Sequence, residues 1–340
     1  MKRNNLSPFT LIALALALGS APTFAQRVDV RGVSRGAFGG WSDALIMESK
    51  DAPAKAVFVP SVGARILFYG IHGENILWTN PNAAGQVYKL GDAPFDPGGF
   101  ACGIGPEVAG LPDHPMTLLG DYSWSTRKKS LITAKGQEDK AMGVEMEKEI
   151  AYDPASGELG FVHRIKNISE RDAAYSLWHR IACQPGGYAF FPLNKKSRFA
   201  LGWSIRRSDN GKLSYDGATP ESPSVRILDG VLVAHTTGPA AKIGADSDTQ
   251  WLAYARGRTL FILHFPYYSG AVYSEGGNSV TVAWDDTKTE LQPMGPEARL
   301  RTRKSTELPM KWSLVELPAE ITSHEQARGL VEKIPSSPFL

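Results

Sequence analysis

The sequence places polar side chains inside segments that are otherwise aromatic or apolar. Trp178-His179-Arg180 forms one such segment, and Glu290 and Gln292 lie close together in another. Polar groups in such positions are either satisfied by structural partners or used at a functional site. The second possibility points to acid–base chemistry, because a carboxylate and an imidazole can exchange protons with a substrate near neutral pH.

Other kinds of chemistry have little support in the sequence. The chain shows no zinc-type ligand spacing, no phosphate-binding glycine loop that opens a helix and no serine in a strand-turn-helix elbow. Asp246-Ser247-Asp248 alternates oxygen ligands, but the rest of a calcium coordination shell is missing, so a solvated turn is favoured. We therefore expect no metal and no cofactor.

The elements that must position these residues are mostly β-strands. Turn signals such as Asp209-Asn210-Gly211 separate short segments that are β-branched or alternate between apolar and polar residues. The predicted strands are residues 56–59, 65–71, 144–150, 160–165, 231–235, 259–265 and 280–284. The pattern predicts an all-β fold of antiparallel sheets rather than a βαβ fold.

One helix is predicted near the C-terminus, over residues 323–334. Ser323 would be its N-cap, Gln326 the capping-box partner, and a proline follows its last residue. We expect this helix to cover a sheet edge. Residues 80–123 are rich in Pro, Gly and Asp and are predicted to form a functional loop or a lid. Without a low-complexity linker or a repeat, residues 26–340 are predicted to form a single domain.

The N-terminus has the order of a cleavable secretory signal. Lys2 and Arg3 precede the apolar residues 9–18, and a small-residue cleavage site ends at Ala25. A membrane anchor is disfavoured, because a spanning helix needs about 20 apolar residues. We expect residues 1–25 to be removed and the mature protein to be periplasmic or secreted.

The charge balance argues against polyanionic partners. The chain has 37 Lys plus Arg and 35 Asp plus Glu, and loss of Lys2 and Arg3 with the signal would leave 35 of each. Nucleic acids and anionic membrane surfaces are bound by clustered positive charge, of which the sequence has no long run. We expect no nucleic-acid partner and no membrane span, and the oligomeric state stays open.

The two cysteines allow two interpretations. Cys102 and Cys183 would lie in a compartment where a disulfide persists. Cys183 also follows the apolar residues 177–182, which is typical of a buried free thiol. The sequence does not choose between a disulfide and two buried thiols.

Three stretches together resemble the galactose mutarotase-like superfamily, whose members build a large two-sheet β-supersandwich and bind sugars in its open cleft. They are residues 59–66 with 73–78, residues 167–169 followed by Trp178-His179, and Glu290-Leu291-Gln292 with Leu300 and residues 312–314. A closer resemblance is to an uncharacterised, often exported bacterial family of that superfamily. Its motifs here are Pro97-Gly98-Gly99, Pro106-Glu107, Leu177-Trp178-His179, residues 192–199, and Glu290 with Gly295-Pro296.

The resemblance implies roles for three residues. It makes Glu290 the base that takes the anomeric proton, His179 the acid that protonates the ring oxygen, and His114 a second, assisting histidine. Two structural alternatives stay open. His179 would be a satisfied structural histidine, or Glu290 would be paired with Arg180 or Arg65.

The resemblance also implies a ligand, a small sugar or an oligosaccharide. The expected substrate-binding residues are Arg65, Arg180, Trp178, Asn194 and Arg198. Three functions remain: a sugar 1-epimerase-like isomerase that uses a Glu/His pair, a non-catalytic carbohydrate-binding protein, or an accessory domain in polysaccharide degradation.

Overall fold

The computed structural model describes residues 28, 30–109, 111, 113–128, 131–217 and 223–339 of the 340-residue chain. The predicted signal peptide and its cleavage site at Ala25 lie outside the described residues.

The regular secondary structure of the described residues is almost entirely β-strand. In chain order these are β1 Val33–Phe38, β2 Trp41–Met47, β3 Ala54–Val59, β4 Arg65–Ile71, β5 Glu74–Asn75, β6 Phe100–Gly105, β7 Ser123–Lys128, β8 Leu131–Lys135, β9 Val144–Tyr152, β10 Leu159–Asn167, β11 Ala173–Cys183, β12 Tyr188–Pro192, β13 Ser204–Asp209, β14 Lys212–Gly217, β15 Val225–Leu228, β16 Val231–His235, β17 Ala241–Ala245, β18 Trp251–Arg256, β19 Thr259–His264, β20 Val280–Trp284, β21 Thr289–Pro293, β22 Ala298–Leu300 and β23 Ser305–Glu316.

The helices are short. They are α1 Pro115–Leu119, α2 His324–Gly329 and the 3-10 turns Pro81–Ala83, Glu107–Ala109 and Leu330–Lys333. Among the described residues, no helix has the length and apolar character that crossing a membrane requires.

The strands form two large antiparallel sheets. The first has the order β1-β2-β3-β4-β6-β11-β21-β20-β17-β13-β14, with β5 beside β4 and β22 beside β11. The second has the order β15-β16-β12-β18-β19-β23-β10-β9-β8-β7. Strand β9 shows why these segments are strands, because its burial alternates residue by residue, as in a sheet with one covered face.

A cluster of aromatic side chains joins the two sheets. Trp312 of β23 is fully buried, and its ring centroid lies 4.8 Å from Phe161 and 4.9 Å from Phe261 of its own sheet. From the opposite sheet, Phe100 lies 4.8 Å away and Tyr69 lies 5.6 Å away. Rings at such distances contribute beyond the area that they bury, so this cluster is a central part of the core.

The C-terminal helix begins at its predicted N-cap, but the predicted capping-box partner, Gln326, accepts from the Thr322 backbone N–H at 2.8 Å. Ser323 caps it through a 3.2 Å hydrogen bond that the Gln326 backbone N–H donates to the serine hydroxyl. Helix α2 continues into the 3-10 turn Leu330–Lys333. Ala327 and Leu330 pack on apolar side chains of the second sheet, so the helix covers part of that sheet's outer face.

The seven predicted strands are all confirmed, but the prediction for residues 80–123 is only partly right. This segment contains β6, which lies between β4 and β11 in the middle of the first sheet. All six residues of β6 are buried. A strand covered on both faces has no alternation of apolar and polar residues, so periodicity did not reveal it.

Both cysteines are buried free thiols, so the disulfide alternative is wrong. Cys102 pairs with His179 in the register between β6 and β11, whereas Cys183 lies four residues further along β11. Four residues of strand separate two positions by about 13 Å, which exceeds the reach of a disulfide.

The central cluster yields a stability prediction. We expect Trp312→Ala to lower the free energy of unfolding by about 3–5 kcal/mol, because it removes a fully buried ring and leaves a cavity. Urea unfolding followed by far-UV circular dichroism measures this. Leu90→Ala is the control, since Leu90 is 83% exposed and its loss should change stability by less than about 0.5 kcal/mol. Equal effects of both changes would contradict the assignment of the core.

Candidate functional site

The alternation of side chains along β11 sorts the predicted site residues onto two faces of the first sheet. Leu177, His179 and Ile181 point between the sheets, where Leu177 and Ile181 belong to the main core. Trp178 and Arg180 point to the opposite, outer face and line cavities there. Neighbours in a strand project to opposite faces, so His179 and Arg180 serve different environments.

Glu290 lies on the outer face at the centre of a hydrogen-bond network. Arg180 Nη2 lies 3.2 Å from each of its carboxylate oxygens, and Lys288 Nζ lies 2.8 Å from Oε1. The side-chain amide of Gln292 makes two bonds. Its Nε2 donates to Oε2 of Glu290 at 2.6 Å, and its Oε1 accepts from the Thr281 hydroxyl at 2.7 Å. The carboxylate is therefore held in one orientation by three side chains. Glu290 is thus paired with Arg180, which is one of the structural alternatives that the sequence left open.

This network determines the charge state of Glu290. Burial alone would raise the pKa of the carboxyl, but Arg180 and Lys288 outweigh burial and lower the pKa to about 2. Glu290 is thus a carboxylate at neutral pH. A carboxylate with so low a pKa is a weak general base, because base strength follows pKa.

A first cavity of about 320 Å³ opens beside Glu290 and Arg180. Arg65 lines it and donates to the Gly98 carbonyl at 2.9 Å and the Leu118 carbonyl at 3.0 Å. Burial lowers the pKa of Arg65 to about 10, so the guanidinium remains charged at neutral pH. Arg65 therefore ties the loop before β6 to helix α1 at the cavity wall.

A second cavity of about 400 Å³ lies on the other side of the same pair, since Arg180 and Glu290 line both cavities. Trp178 lines it together with Lys242 and Glu107, whose ammonium and carboxylate lie 2.6 Å apart. We call the two cavities together the cleft. Their shared wall places the Arg180–Glu290 pair in the middle of the cleft.

The structure does not bring His179 to the cleft. His179 is fully buried, its Nε2 lies 3.1 Å from Nδ1 of His163, and its ring meets Phe100 edge-on at 5.2 Å. Burial and then the charge of Lys148 lower the pKa of His179 to about 3, so the ring is neutral. The expectation that Glu290 and His179 face one cleft is wrong, because they lie on opposite faces of the sheet.

His114 does line the first cavity together with Glu290. It is the residue before α1, and the Ile104 backbone N–H donates to its Nε2 at 3.3 Å. That bond occupies the Nε2 lone pair, which leaves Nδ1 as the nitrogen that carries the proton. His114 is thus the predicted histidine that the fold brings into the same cavity as the carboxylate.

Two further residues that the sequence predicted to bind substrate lie outside the cleft. Asn194 and Arg198 line neither cavity of the cleft. The Asn194 amide donates to the Asp246 carbonyl at 3.1 Å, and the Arg198 backbone N–H donates to the Asp246 carboxylate at 2.9 Å. The loop that carries Asn194 and Arg198 is therefore held in place by Asp246, and the Asp246 carboxylate accepts hydrogen bonds from that loop.

Trp178 lies where predicted, but its face is already covered. The Arg180 guanidinium lies 5.1 Å from its ring centroid and the Lys242 ammonium 4.6 Å. Such distances are typical of cation–π contacts. Trp178 therefore positions the two cations at the cleft rather than offering an open stacking surface.

Among the charged cleft residues that sequence reasoning missed, Lys288 and Asp96 belong to the network around Glu290. Lys288 bonds both Glu290 and Asp96 across the cleft wall. A signal for Lys288 was present, because it lies two residues before Glu290 in the same extended segment and so shares its face. Asp96 gave no such signal, since it comes from the irregular segment before β6.

Comparison with known proteins bears on the fold. No family model matches the chain, and no curated protein matches it. A galactose mutarotase-like protein from Lactobacillus casei matches with a TM-score of 0.53 at 14% identity, over 79% of this chain and 100% of that chain. The chain has the galactose mutarotase-like fold. This confirms the fold that the sequence resemblance implied.

Two other solved structures agree with this fold. A galactose mutarotase related enzyme from Lactobacillus acidophilus matches with a TM-score of 0.51 at 11% identity, over 82% of this chain and 100% of that chain. A TPR-domain containing protein from Parabacteroides distasonis matches with a TM-score of 0.55 at 13% identity, over 82% of this chain but only 47% of that chain. The fold thus also occurs as one part of a longer protein.

The low pKa of Glu290 predicts how stability depends on pH. Its folded-state pKa of about 2 lies below the ordinary value of 4.5, so its contribution is present above pH 4.5 and is lost as the pH falls toward 2. We expect Glu290→Gln to lower the free energy of unfolding by up to about 3 kcal/mol at pH 7 and by much less near pH 2. Urea unfolding at a series of pH values measures this difference.

Glu320→Gln is the matched control, because Glu320 is exposed. It should give the same unfolding curve as the unaltered protein at every pH. A loss from Glu290→Gln that stayed constant between pH 7 and pH 2 would show that the ion pairs do not stabilise the fold.

Proposed function

We propose that the protein binds a sugar in the cleft, with Glu290 at its centre. The observation that carries this proposal is the carboxylate held by Arg180, Lys288 and Gln292 between two cavities. Sugar hydroxyls both donate and accept hydrogen bonds. A fixed carboxylate can accept from them, and the fixed cations beside it can donate to them.

The size and charge of the cleft fit a hydroxylated ligand. Ligand cavities commonly measure about 300–1,000 Å³, and the cleft comprises cavities of about 320 and 400 Å³. Its charged lining residues, histidine aside, are balanced: Arg65, Arg180, Arg206, Lys242 and Lys288 face Asp96, Glu107, Asp113, Asp285 and Glu290. A balanced lining favours a neutral sugar or oligosaccharide over a nucleic acid, which is bound mainly through positive charge.

Sugar 1-epimerisation is the second candidate function. It requires a base at the anomeric hydroxyl and an acid at the ring oxygen, and the solved structures of similar fold include proteins named as galactose mutarotase-like. Because His179 lies in the core, the acid would be His114, which lines the first cavity with Glu290 but would have to give up the hydrogen bond that it accepts at Nε2 in order to be protonated. The low pKa of Glu290 disfavours it as a base, so we rank binding above isomerisation.

The setting of this function is also a proposal. The signal-type N-terminus supports action in the periplasm or outside the cell. Residues 26–340 would then be the mature domain. A place as an accessory domain in polysaccharide degradation fits the finding that a similar fold forms part of a longer protein.

Binding and isomerisation can be tested in one NMR experiment. The purified protein is titrated into a panel of aldoses, uronic acids and short oligosaccharides, and both ligand line broadening and the rate of anomer exchange are recorded. We expect saturable binding that Glu290→Gln weakens by at least about tenfold, the effect of losing a hydrogen bond to a charged group. Glu320→Gln should bind as the unaltered protein does.

The rate of anomer exchange separates the two candidate functions. Exchange that is accelerated, and is lost in both Glu290→Gln and His114→Gln, would establish isomerisation. Binding without acceleration would leave a carbohydrate-binding protein. Absence of binding to every member of the panel would contradict both functions.

A further inference from the structure

Three potential metal ligands meet inside the core, on the face of β11 that points away from the cleft. Cys102 of β6 and His179 of β11 are opposite each other in the first sheet, and His163 of β10 approaches from the second sheet. Their ligand atoms lie within 4.8 Å of one another. Three donors around one ion, each about 2.0–2.3 Å from it, would lie about 3.5–3.8 Å apart, so small side-chain shifts suffice.

Hydrogen bonding alone does not satisfy this cluster. All three residues are at most 2% exposed. The two imidazoles share one hydrogen bond, and Nδ1 of His179 has no partner among the described residues. The Cys102 thiol makes a long contact of 3.7 Å with the Gly103 carbonyl. A buried polar atom without a partner is costly, and such a group calls for an explanation, of which an ion is one.

The surroundings favour a soft ion of single charge. Phe100 stacks on His163 at 5.1 Å and meets His179 edge-on, and Phe161 lies 6.0 Å from His163. Among these apolar rings a complex without net charge is the least costly to bury. One thiolate balances one Cu(I) ion, whereas Zn²⁺ would keep a positive charge and prefers a fourth ligand. Thiolate and imidazole are also ligands that suit copper.

We propose that Cys102, His163 and His179 form a buried Cu(I) site that joins the two sheets. Binding would replace the thiol proton, which leaves to the solvent, by the metal–sulfur bond, and no electron is transferred. Lys148 is close enough for its charge to act on both Cys102 and His179. Burial lowers the pKa of Lys148 to about 7, so this side chain carries part of a positive charge at neutral pH, and that charge disfavours a divalent ion more strongly than a monovalent one. The inference does not rest on the proposed sugar binding.

The site can be tested by metal retention. The purified protein is refolded from urea without oxygen in the presence of Cu(I) or, separately, Zn(II), because refolding gives the ion access to a buried site. Excess metal is removed with a competing chelator, and the retained metal is measured by mass spectrometry. We expect about one Cu(I) per chain and a raised melting temperature, since a ligand that binds only the folded state stabilises it.

The chain offers a matched control in its second buried thiol. We expect Cys102→Ser to retain at least about tenfold less Cu(I). Removal of a residue that only hydrogen-bonds to a metal ligand already lowers metal affinity by about tenfold or more, and removal of the ligand itself should lower it at least as much. Cys183→Ser removes an equally buried cysteine and should retain the metal. His163→Phe keeps the ring stacked on Phe100 and should lose the metal while remaining folded.

Two results would overturn the proposal. The first is the absence of retained Cu(I) in the folded, unaltered protein, or equal retention in Cys102→Ser and Cys183→Ser. The second is retention of Zn(II) in preference to Cu(I). X-ray absorption of the loaded protein supplies an independent readout, with one sulfur and two nitrogen ligands expected. Circular dichroism confirms that each variant is folded before its metal content is compared.

Discussion

The two-residue period of β11 is the constraint on which the rest of the molecule depends. The strand lies between β6 and β21 in the middle of the first sheet. Successive side chains must therefore alternate between the aromatic core and the cleft. Arg180 thus reaches Glu290, while His179, one residue earlier, reaches His163 in the opposite sheet. A histidine and an arginine that are adjacent in sequence cannot serve the same ligand here.

The contacts that fix Glu290 also limit its chemistry. Arg180, Lys288 and Gln292 hold the carboxylate in place, and the two cations keep its pKa low. A preorganised anion is useful for binding, because no reorganisation is needed when the ligand arrives. The same arrangement weakens proton abstraction. A proton taken up by the carboxylate would remove its attraction to Arg180 and Lys288, so protonation is unfavourable. Fixed geometry and strong basicity are thus opposing demands at this position.

The sequence predicted the fold better than the site. Strands β9 and β10 were found because their alternation is visible, whereas β6 is buried on both faces and was missed. Glu290, Arg180, Arg65 and His114 line one cavity, and their role there stays a prediction. The error at His179 has a local cause: a run of buried residues gives no sign of which face each one occupies. Contacts between distant segments were beyond any local pattern.

The burial of His179 has a consequence for any acid that would act in the cleft. The strand residues that line the first cavity are Arg65, Ala101, Arg180, Ala182 and Glu290, and none of them donates a proton at neutral pH, since Glu290 is ionised. An acid for the first cavity must therefore come from a loop. His114 is such a residue, and the Arg65 bond to the Leu118 carbonyl holds the helix that follows it. Proton transfer in this cleft would thus depend on how Arg65 positions a loop, and not on the rigidity of the sheet alone.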